Sequence, residues 1–392
     1  MKGSLKAVPW AAVVLLLAAA SVLPGCGRTP APKVFKVAVL TTSREPLAKA
    51  SEMLRLGARL RADQVNAAGG INGTRLELLF VDTGGRPRTM KLALERLVAD
   101  ENVALILGPL CSGEARAIEP ILAASGLPAL LPAASAEYLA HSSPVMFRMA
   151  PSDGRQARLL ALYTSREMGI RRAALIYEDS GFGRAVRTAF SQQAKRNGLR
   201  IVAERPYPGS GPEIENTLRE VAASGPEAVL LAGDTEMGVV MAKTAARLGL
   251  GLRFLATSLM AERLLLDLGG TDVEGFTLAE PGVFQPEEPE AKEFLEKFQD
   301  AYRRRPTWLA ATAYDAVGLA AEALAKTGGS RTAIRHELGA MGLATRGYQG
   351  VTGLIFFDAW GGNQRPVRIM RVENGAFVPA TAQFSQKHRG GS

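Results

Sequence analysis

The stretch "VALILGPLCSGEARAIEPILAASGLPALLP" (103–132) carries the pattern that decides the fold. It opens with a continuous apolar run of strand length, which is typical of a strand buried on both faces of a sheet. A turn at 108–113 follows, then a segment that favours a short helix, and "GLPALLP" predicts the next strand. We therefore expect a strand–helix–strand unit in which Ser112 lies where the helix begins.

The same alternation repeats along the chain from residue 34 onward. The first series has predicted strands at "VFKVAVL", "LELLFVD", "VALILG" and "GLPALLP". After "FRMAPSD" (147–153) a second series follows, with predicted strands at "RRAALIYED", "LRIVAE", "EAVLLAG" and "LRFLATS". Such alternation is typical of mostly parallel sheets covered by helices on both faces. We therefore predict an α/β fold with two lobes in tandem and a cleft between them.

Four loops follow predicted strands at the positions where parallel sheets bind ligands. Ligands lie beyond the carboxyl ends of such strands, where helix N-termini present unpaired N–H groups. "GPLCSG" and "LLPAAS" have that position in the first series, and "YEDSGFG" and "LAGDTEMG" have it in the second. The sequence thus predicts a binding site made of loops and helix ends.

Composition argues against several classes of protein. The 392 residues are 47% hydrophobic, enough for two cores, and the net charge is +9. The basic surplus is scattered without interleaved aromatic residues, so we expect no nucleic-acid partner. No nucleotide-binding loop or nucleophile elbow occurs, so we expect no enzyme and no cofactor. A metal site is also not expected, because the chain has only three histidines, His141, His336 and His388.

The N-terminal segment has the features of a lipoprotein signal. Lys2 and Lys6 precede the short apolar run "AAVVLLLAAASVL", which ends in "LPGC" at Cys26. The run is short for a membrane span and fits a signal peptide. "LPGC" resembles the bacterial lipobox, whose cysteine is lipidated and becomes the mature N-terminus. We expect a signal peptide over 1–25, a tether over 26–33 and a lipid anchor at the periplasmic or extracytoplasmic face; a plainly cleaved signal or an uncleaved anchor is the alternative.

An ordered set of motifs resembles the type I periplasmic binding proteins over nearly all of residues 34–375. The motifs are "NAAGGINGTRLELLFVD", "ILGPLCSGEARAIEPILAASGLPALLPAAS", "FRMAPSD", "ALIYEDSGFGRAV", "AYDAVGLAAEAL" and "GVTGLIFFD". The group most similar to this chain is the leucine/isoleucine/valine-binding branch, the solute receptors of branched-chain amino-acid ABC transporters.

This resemblance implies two Rossmann-like lobes with parallel sheets, joined by three crossovers near Ala150, Ala279 and Thr352. Lobe 1 would comprise 34–149 and 280–352. Lobe 2 would comprise 150–279 and 353–385, and 386–392 would be a tail.

The resemblance also implies where a ligand carboxylate is held on lobe 1. The family positions fall on Ser112 and Ser135, with Ala133 contributing backbone. A carboxylate there would gain charge-assisted bonds from N–H groups at loop ends and a helix N-terminus. The alternative for Ser112 is a helix N-cap, and the alternative for Ser135 is turn or cap chemistry.

Lobe 2 departs from the family pattern. The aromatic residue that covers the ligand falls on Phe182, for which a core role is the alternative. The expected tyrosine falls on Gly233, beside Asp234, and the acid that pairs with the α-ammonium falls on Ser258. The aromatic residue of the first loop falls on Ala50. Asp234 is therefore the acid that we expect to pair with the α-ammonium if the ligand is an amino acid.

Cysteine usage predicts no disulfide. Once Cys26 is lipidated, Cys111 is the remaining cysteine. In some family members the Cys111 position forms a disulfide, but its partner position holds Gly85 here. We expect Cys111 to be a small buried apolar residue.

These observations predict a lipid-anchored solute-binding protein of an ABC importer. It would bind a small organic ligand, an amino acid or a carboxylate, and present the closed form to ABC permease subunits. Two alternatives remain open: a ligand-sensing envelope protein of the same fold, and an envelope lipoprotein that regulates peptidoglycan synthesis by protein contact.

Overall fold

The computed structural model describes residues 34–45, 47–139, 143–209, 211–280, 289–342 and 346–380. The predicted signal peptide, the tether and its Cys26, and the tail lie outside the described residues.

The strands are β1 Val34–Thr41, β2 Arg75–Asp82, β3 Val103–Leu107, β4 Ala129–Leu131, β5 Met146–Arg148, β6 Arg172–Tyr177, β7 Arg200–Pro206, β8 Ala228–Ala232, β9 Phe254–Ala256, β10 Thr277–Glu280, β11 Tyr348–Gly350, β12 Gly353–Ile355, β13 Arg368–Glu373 and β14 Ala376–Pro379. The helices are α1 Ala48–Ala67, α2 Pro87–Ala99, α3 Ser112–Ser125, α4 Asp153–Arg166, α5 Gly181–Arg196, α6 Pro212–Ala223, α7 Thr235–Arg247, α8 Arg263–Gly269, α9 Pro289–Tyr302, α10 Trp308–Thr327 and α11 Arg331–Gly339.

The first sheet has the strand order β2-β1-β3-β4-β5, and its neighbouring strands run parallel. β3 is buried along its whole length, as the apolar run predicts. Side chains of α1 and α10, such as Leu54 and Val317, cover one face of the sheet. Side chains of α2 and α3, such as Leu94 and Ile118, cover the other. This arrangement directs the carboxyl ends of β3 and β4 to one edge.

The second sheet has the strand order β14-β13-β10-β9-β8-β6-β7. Its strands from β6 to β10 pair in parallel, whereas β13 and β14 are antiparallel additions at one edge. Side chains of α6, α7 and α8 pack on one face, and side chains of α4 and α5 pack on the other. The predicted fold class, α/β with mostly parallel sheets, is therefore confirmed.

The chain passes between the two sheets three times. It leaves the first sheet after β5 and enters α4, whose Leu160 packs on the second sheet. After β10 it returns to α9, whose Phe294 packs against α1 and α10. Phe357 still lies in the core of the first sheet, whereas Ile369 on β13 lies in the core of the second. The lobe bounds given above stay a prediction.

A buried polar cluster holds the chain near these passages. Both carboxylate oxygens of Asp315 on α10 accept backbone N–H groups, from Val351 and Thr352, at 2.8 Å. Arg365 donates to the carbonyl oxygens of Thr352 and Met149. The cluster ties α10 to the segments that connect the sheets.

Within the described ranges, no helix is both long and apolar enough to span a bilayer. Nor does any group of three histidine, cysteine or acidic side chains in this part of the chain come together as a metal site would require.

Candidate functional site

The first half of the candidate site lies where β3 and β4 end. Ser112 is the first residue of α3, and Cys111 occupies the capping position without a side-chain cap bond. The hydroxyl oxygen of Ser112 instead accepts the backbone N–H of Ala136 at 3.1 Å. The interpretation of Ser112 as a helix N-cap is therefore wrong. Its hydroxyl joins the two loops, and the amides of the first turn of α3 lie beside it.

Tyr138 lies at the same loop junction. Its hydroxyl donates to the carbonyl oxygen of Ser112 at 3.2 Å, and its side chain is exposed. The guanidinium of Arg116, one turn into α3, lies 5.2 Å from the centroid of the Tyr138 ring, within the range of a cation–π contact. This half of the site therefore offers N–H groups, a hydroxyl and a nearby positive charge, all of which favour a carboxylate.

Ser135 is held by Asp153, the first residue of α4. The Ser135 hydroxyl donates to Oδ2 of Asp153 at 2.7 Å. The Ser135 carbonyl oxygen accepts the backbone N–H of Asp153 at 3.3 Å and Nη1 of Arg148 at 3.2 Å. A hydroxyl has one hydrogen, so while this bond persists the Ser135 oxygen faces other groups as an acceptor.

Asp153 is a buried carboxyl group with an altered proton affinity. It is 7% exposed, and burial raises the pKa of Asp153 to about 6, although the Ser135 hydroxyl and Arg148 favour the ionised form. Arg148 is itself 4% exposed, and burial lowers its pKa. Glu137 adds a negative charge that raises the pKa of Asp153 further, and Arg158 pairs with Glu137 through two bonds of 2.9 and 2.5 Å.

The second half of the candidate site lies where β6, β8 and β9 end. The Asp234 side chain caps α7 by accepting the backbone N–H of Met237 at 2.8 Å. The backbone N–H of Asp234 donates to Oε1 of Glu178, the residue after β6, at 3.1 Å. The cap uses Oδ1 of Asp234 and leaves Oδ2 of this exposed carboxylate for other partners.

Glu178 is a half-buried acid next to a second acid. Burial raises the pKa of Glu178, and the charge of Asp234 adds to this effect. The Ser180 hydroxyl lies 3.4 Å from Oε2 of Glu178, and Ser180 also caps α5. Among the residues that the structure describes, Glu178 forms no ion pair with a lysine or an arginine. The pair of carboxylates therefore creates a negative region at this edge of the sheet.

The absence of a side chain at Gly233 leaves room for the Glu178 side chain beside Asp234. A Cβ atom at Gly233 would collide with Sδ of Met237 and would lie 3.1 Å from both Cγ and Oε1 of Glu178. The space where the family pattern places a tyrosine ring is thus filled by Glu178 and Met237. Ser258 begins a half-buried 3-10 turn, and the hydroxyl of its neighbour Thr257 donates to the carbonyl oxygen of Gly233 at 3.3 Å.

The remaining predicted residues have clear positions. Phe182 lies in the first turn of α5 and packs, half-buried, against the core of the second sheet. Ala133 packs, half-buried, against the core of the first sheet, two residues before Ser135. Cys111 is free and half-buried rather than fully buried, and burial raises its pKa to about 11, which disfavours the nucleophilic thiolate at neutral pH.

The structure brings the predicted residues together in two groups. Ser112 and Ser135 meet through Ala136 on the first sheet. On the second sheet Gly233 and Asp234 are neighbours, and Ser258 follows Thr257, whose hydroxyl contacts Gly233. Sequence reasoning missed Glu178, Asp153 and Tyr207. Glu178 and Tyr207 directly follow β6 and β7, so the rule that ligands lie beyond the strand ends could have found them. Burial and the charges of Asp234, Glu236 and Glu178 raise the pKa of Tyr207, which shows that it lies near the acidic pair.

Comparison with known families gives a match over most of the chain. A family model described as "Periplasmic binding protein" matches residues 34–376. The match spans both sheets and both halves of the candidate site.

Individual relatives agree with this match. The chain is 22% identical over 348 residues to the leucine-, isoleucine-, valine-, threonine-, and alanine-binding protein of Pseudomonas aeruginosa, covering 88% of this chain and 91% of that protein. It is 25% identical to an ABC transporter substrate-binding protein from Desulfitobacterium hafniense solved with Leu, with a TM-score of 0.74, covering 88% and 99% of the two chains. A solute-binding protein of an ABC transporter from Rhodopseudomonas palustris, solved with 3,4-dihydroxybenzoic acid, has a TM-score of 0.75 at 21% identity, covering 88% and 95%. This last likeness shows the two-lobed fold alone.

Proposed function

Because the chain belongs to the periplasmic binding protein family, we propose that it is the solute-binding component of an ABC importer. It binds a small organic ligand, an amino acid or a carboxylate, between two lobes. Lobe 1 comprises 34–149 and 280–352, and lobe 2 comprises 150–279 and 353–385. The observation that carries the proposal is that a group of polar side chains lies at the carboxyl ends of parallel strands in each sheet, where such folds bind ligands.

The chemistry of the two groups supports a ligand with a negative end and a positive end. The Ser112 hydroxyl and the amides at the start of α3 suit a carboxylate. Glu178 and Asp234 on the other sheet suit an ammonium or another cationic nitrogen, because a buried cation needs a carboxylate partner. The named relatives that bind leucine or other amino acids support this class of ligand.

The mechanism is closure of two lobes around a ligand, not a chemical reaction. A ligand that contacts both sheets stabilises the closed form relative to the open form. A permease subunit then recognises the closed form. Energy for transport comes from a separate ATPase. The protein is therefore a binding protein and not an enzyme.

The proposal includes a lipid anchor at Cys26. The family implies a location outside the cytoplasm, and the "LPGC" sequence at the end of the apolar run supports lipidation. An acyl chain would hold the binding protein close to its permease at the membrane.

A thermal-shift screen of the purified soluble form tests the proposed function. The screen contains amino acids, small carboxylates, amides and aromatic acids. A ligand at a hundredfold excess over its Kd stabilises the folded protein by roughly 2.7 kcal/mol, which raises Tm measurably. A clear shift with a small solute supports an importer receptor. A protein that no solute stabilises, and that instead binds a peptidoglycan synthase or a sensor protein, would contradict the proposal.

A further inference from the structure

We propose that Asp153 selects which kind of ligand group binds beside Ser135, and that it does so through the direction of one hydrogen bond. Ionised Asp153 accepts a hydrogen bond from the Ser135 hydroxyl, so the serine oxygen accepts from an N–H group of the ligand. Protonated Asp153 donates to Ser135 instead, and the serine hydroxyl then donates to an oxygen of the ligand. This inference rests on the proposed function, because it assigns a positioning residue to the same site.

The geometry leaves Ser135 little freedom to find another partner. Its hydroxyl oxygen lies 2.7 Å from Oδ2 of Asp153, and only one hydrogen fits between two oxygens at that distance. Its carbonyl oxygen is held by the backbone N–H of Asp153 and by Nη1 of Arg148. Asp153 therefore fixes both the position of Ser135 and the direction in which its hydroxyl points.

The charged groups around Asp153 allow its protonation to change at accessible pH. Arg148 on β5 faces Asp153 and favours the ionised form, whereas Glu137, in the loop between β4 and β5, opposes it. Arg158 on α4 neutralises Glu137 through a two-bond ion pair. Burial has the largest effect and raises the pKa of Asp153 to about 6, so Asp153 is mainly ionised at neutral pH and mainly protonated near pH 5.

The two states favour different ligands at one point of the site. Above the pKa of Asp153, an ammonium or amide N–H of the ligand donates a hydrogen bond to the Ser135 hydroxyl oxygen. A ligand oxygen at the same place would face the Ser135 oxygen with no hydrogen between them. Leaving such a buried polar contact unsatisfied weakens binding by about tenfold or more. Below the pKa the preference weakens or reverses. The buried carboxyl thus gives the site a proton-dependent selectivity.

The test uses matched probes that differ by one amino group. Calorimetry on the full soluble chain compares L-leucine with 4-methylpentanoate, L-phenylalanine with 3-phenylpropanoate, and L-glutamate with glutarate, at about pH 8 and about pH 5, with correction for ionisation of each probe. We expect at least one amino acid to bind about tenfold or more tighter than its deaminated partner at the higher pH, and this ratio to shrink at the lower pH.

Two variants distinguish selection of the ligand group by Asp153 from a purely structural role of Asp153 in the fold. Asp153→Asn presents an amide that does not titrate, so the ratio should change less with pH than in the unchanged protein. Ser135→Ala removes the hydroxyl, so the ratio should fall at the higher pH and should change less between the two pH values. Ser152→Ala is the control, because Ser152 caps α4 through the Arg155 N–H and its loss should lower Tm without changing the ratio.

Each outcome bears on the inference. Equal affinities within every pair, a ratio that does not change with pH, or a pH dependence of the ratio that is as large in Ser135→Ala as in the unchanged protein would each overturn it while leaving the proposed function intact. A folded chain that binds none of the three amino acids would overturn it as well. In that case the wider thermal-shift screen decides separately whether the proposed function stands.

Discussion

The backbone N–H of Asp234 donates to Oε1 of Glu178 across 3.1 Å, so two acidic residues from neighbouring strand ends lie close together. The negative charge of Asp234 raises the free energy of ionised Glu178 unless a cation lies nearby. Burial and the neighbouring acid both raise the pKa of Glu178. A ligand that brings a cationic nitrogen relieves this repulsion, which links the local electrostatics to the choice of ligand.

We expect Glu178→Gln to weaken binding of an amino-acid ligand by about tenfold or more, because a charge-assisted hydrogen bond is lost. Calorimetry with the ligand identified in the screen measures this change. Glu220→Gln is the matched control, since Glu220 is an exposed acid on α6 that pairs with Arg205. Equal affinities of Glu178→Gln and the unchanged protein would show that Glu178 does not contact the ligand.

Leucine, isoleucine and valine should bind weakly or not at all. Ser258 lies where the resemblance implies an acid that pairs with an α-ammonium. Gly233, beside Met237 and Glu178, lies where it implies an aromatic ring. An amino acid should bind only if Asp234, with Glu178 beside it, holds its ammonium. Titration with each of the three amino acids measures this directly. Sub-micromolar leucine binding that persists in Asp234→Ala would contradict the prediction.

Ser112→Ala should weaken binding of a carboxylate ligand by about tenfold, since a hydrogen bond to a charged group is removed. The loss should appear in Kd, with little change in Tm of the ligand-free protein. Ser125→Ala, at the other end of α3, provides the control, because the Ser125 hydroxyl donates to the carbonyl oxygen of Leu122. Unchanged affinity in Ser112→Ala would limit Ser112 to its contact with Ala136.

The pH dependence of stability should reveal the buried Asp315. Burial raises the pKa of Asp315 to about 6, above its value of 3.8 in the unfolded chain, despite the donors from Val351 and Thr352. The folded protein therefore binds this proton more tightly than the unfolded chain does. The resulting stability is fully present below pH 3.8 and is lost as the pH rises through about 6.

Urea unfolding of the unchanged protein and of Asp315→Asn across this range measures the effect. The difference in free energy of unfolding between the two proteins should fall by at most about 3 kcal/mol as the pH rises. Asp300→Asn, at an exposed carboxylate, should show no such trend. A constant difference for Asp315→Asn would show that Asp315 does not titrate as described.

Cys26 should carry lipid in the cell. Mass spectrometry of the membrane-extracted N-terminus should find a modified cysteine, and Cys26→Ser should release the protein from the membrane. An unmodified N-terminal peptide that begins at another residue would contradict the lipoprotein prediction.

Several features followed from the sequence because they depend on local patterns. Continuous apolar runs such as 103–107 predicted buried parallel strands, and β3 is buried throughout. Ile214, Leu218 and Val221 recur in the sequence at helical spacing, and all three are buried on the face of α6 that packs on the sheet. These patterns reflect the periods of strand and helix, which neighbouring residues in sequence determine.

The tertiary structure alone decided which side chains meet at the site. Ser135 and Asp153 are separated by 18 residues, and Glu178 and Asp234 by 56, so no local period relates them. The sequence also left the role of Ser112 open between a cap and a ligand contact, and the structure excluded the cap because Cys111 occupies the capping position. Hydrogen-bond direction, burial and pKa depend on groups that only folding brings within a few ångströms of each other. For that reason the sequence determined the two-sheet architecture and the loops that form the site, whereas only the tertiary structure decided the acidic pair on one sheet and the buried acid behind Ser135 on the other.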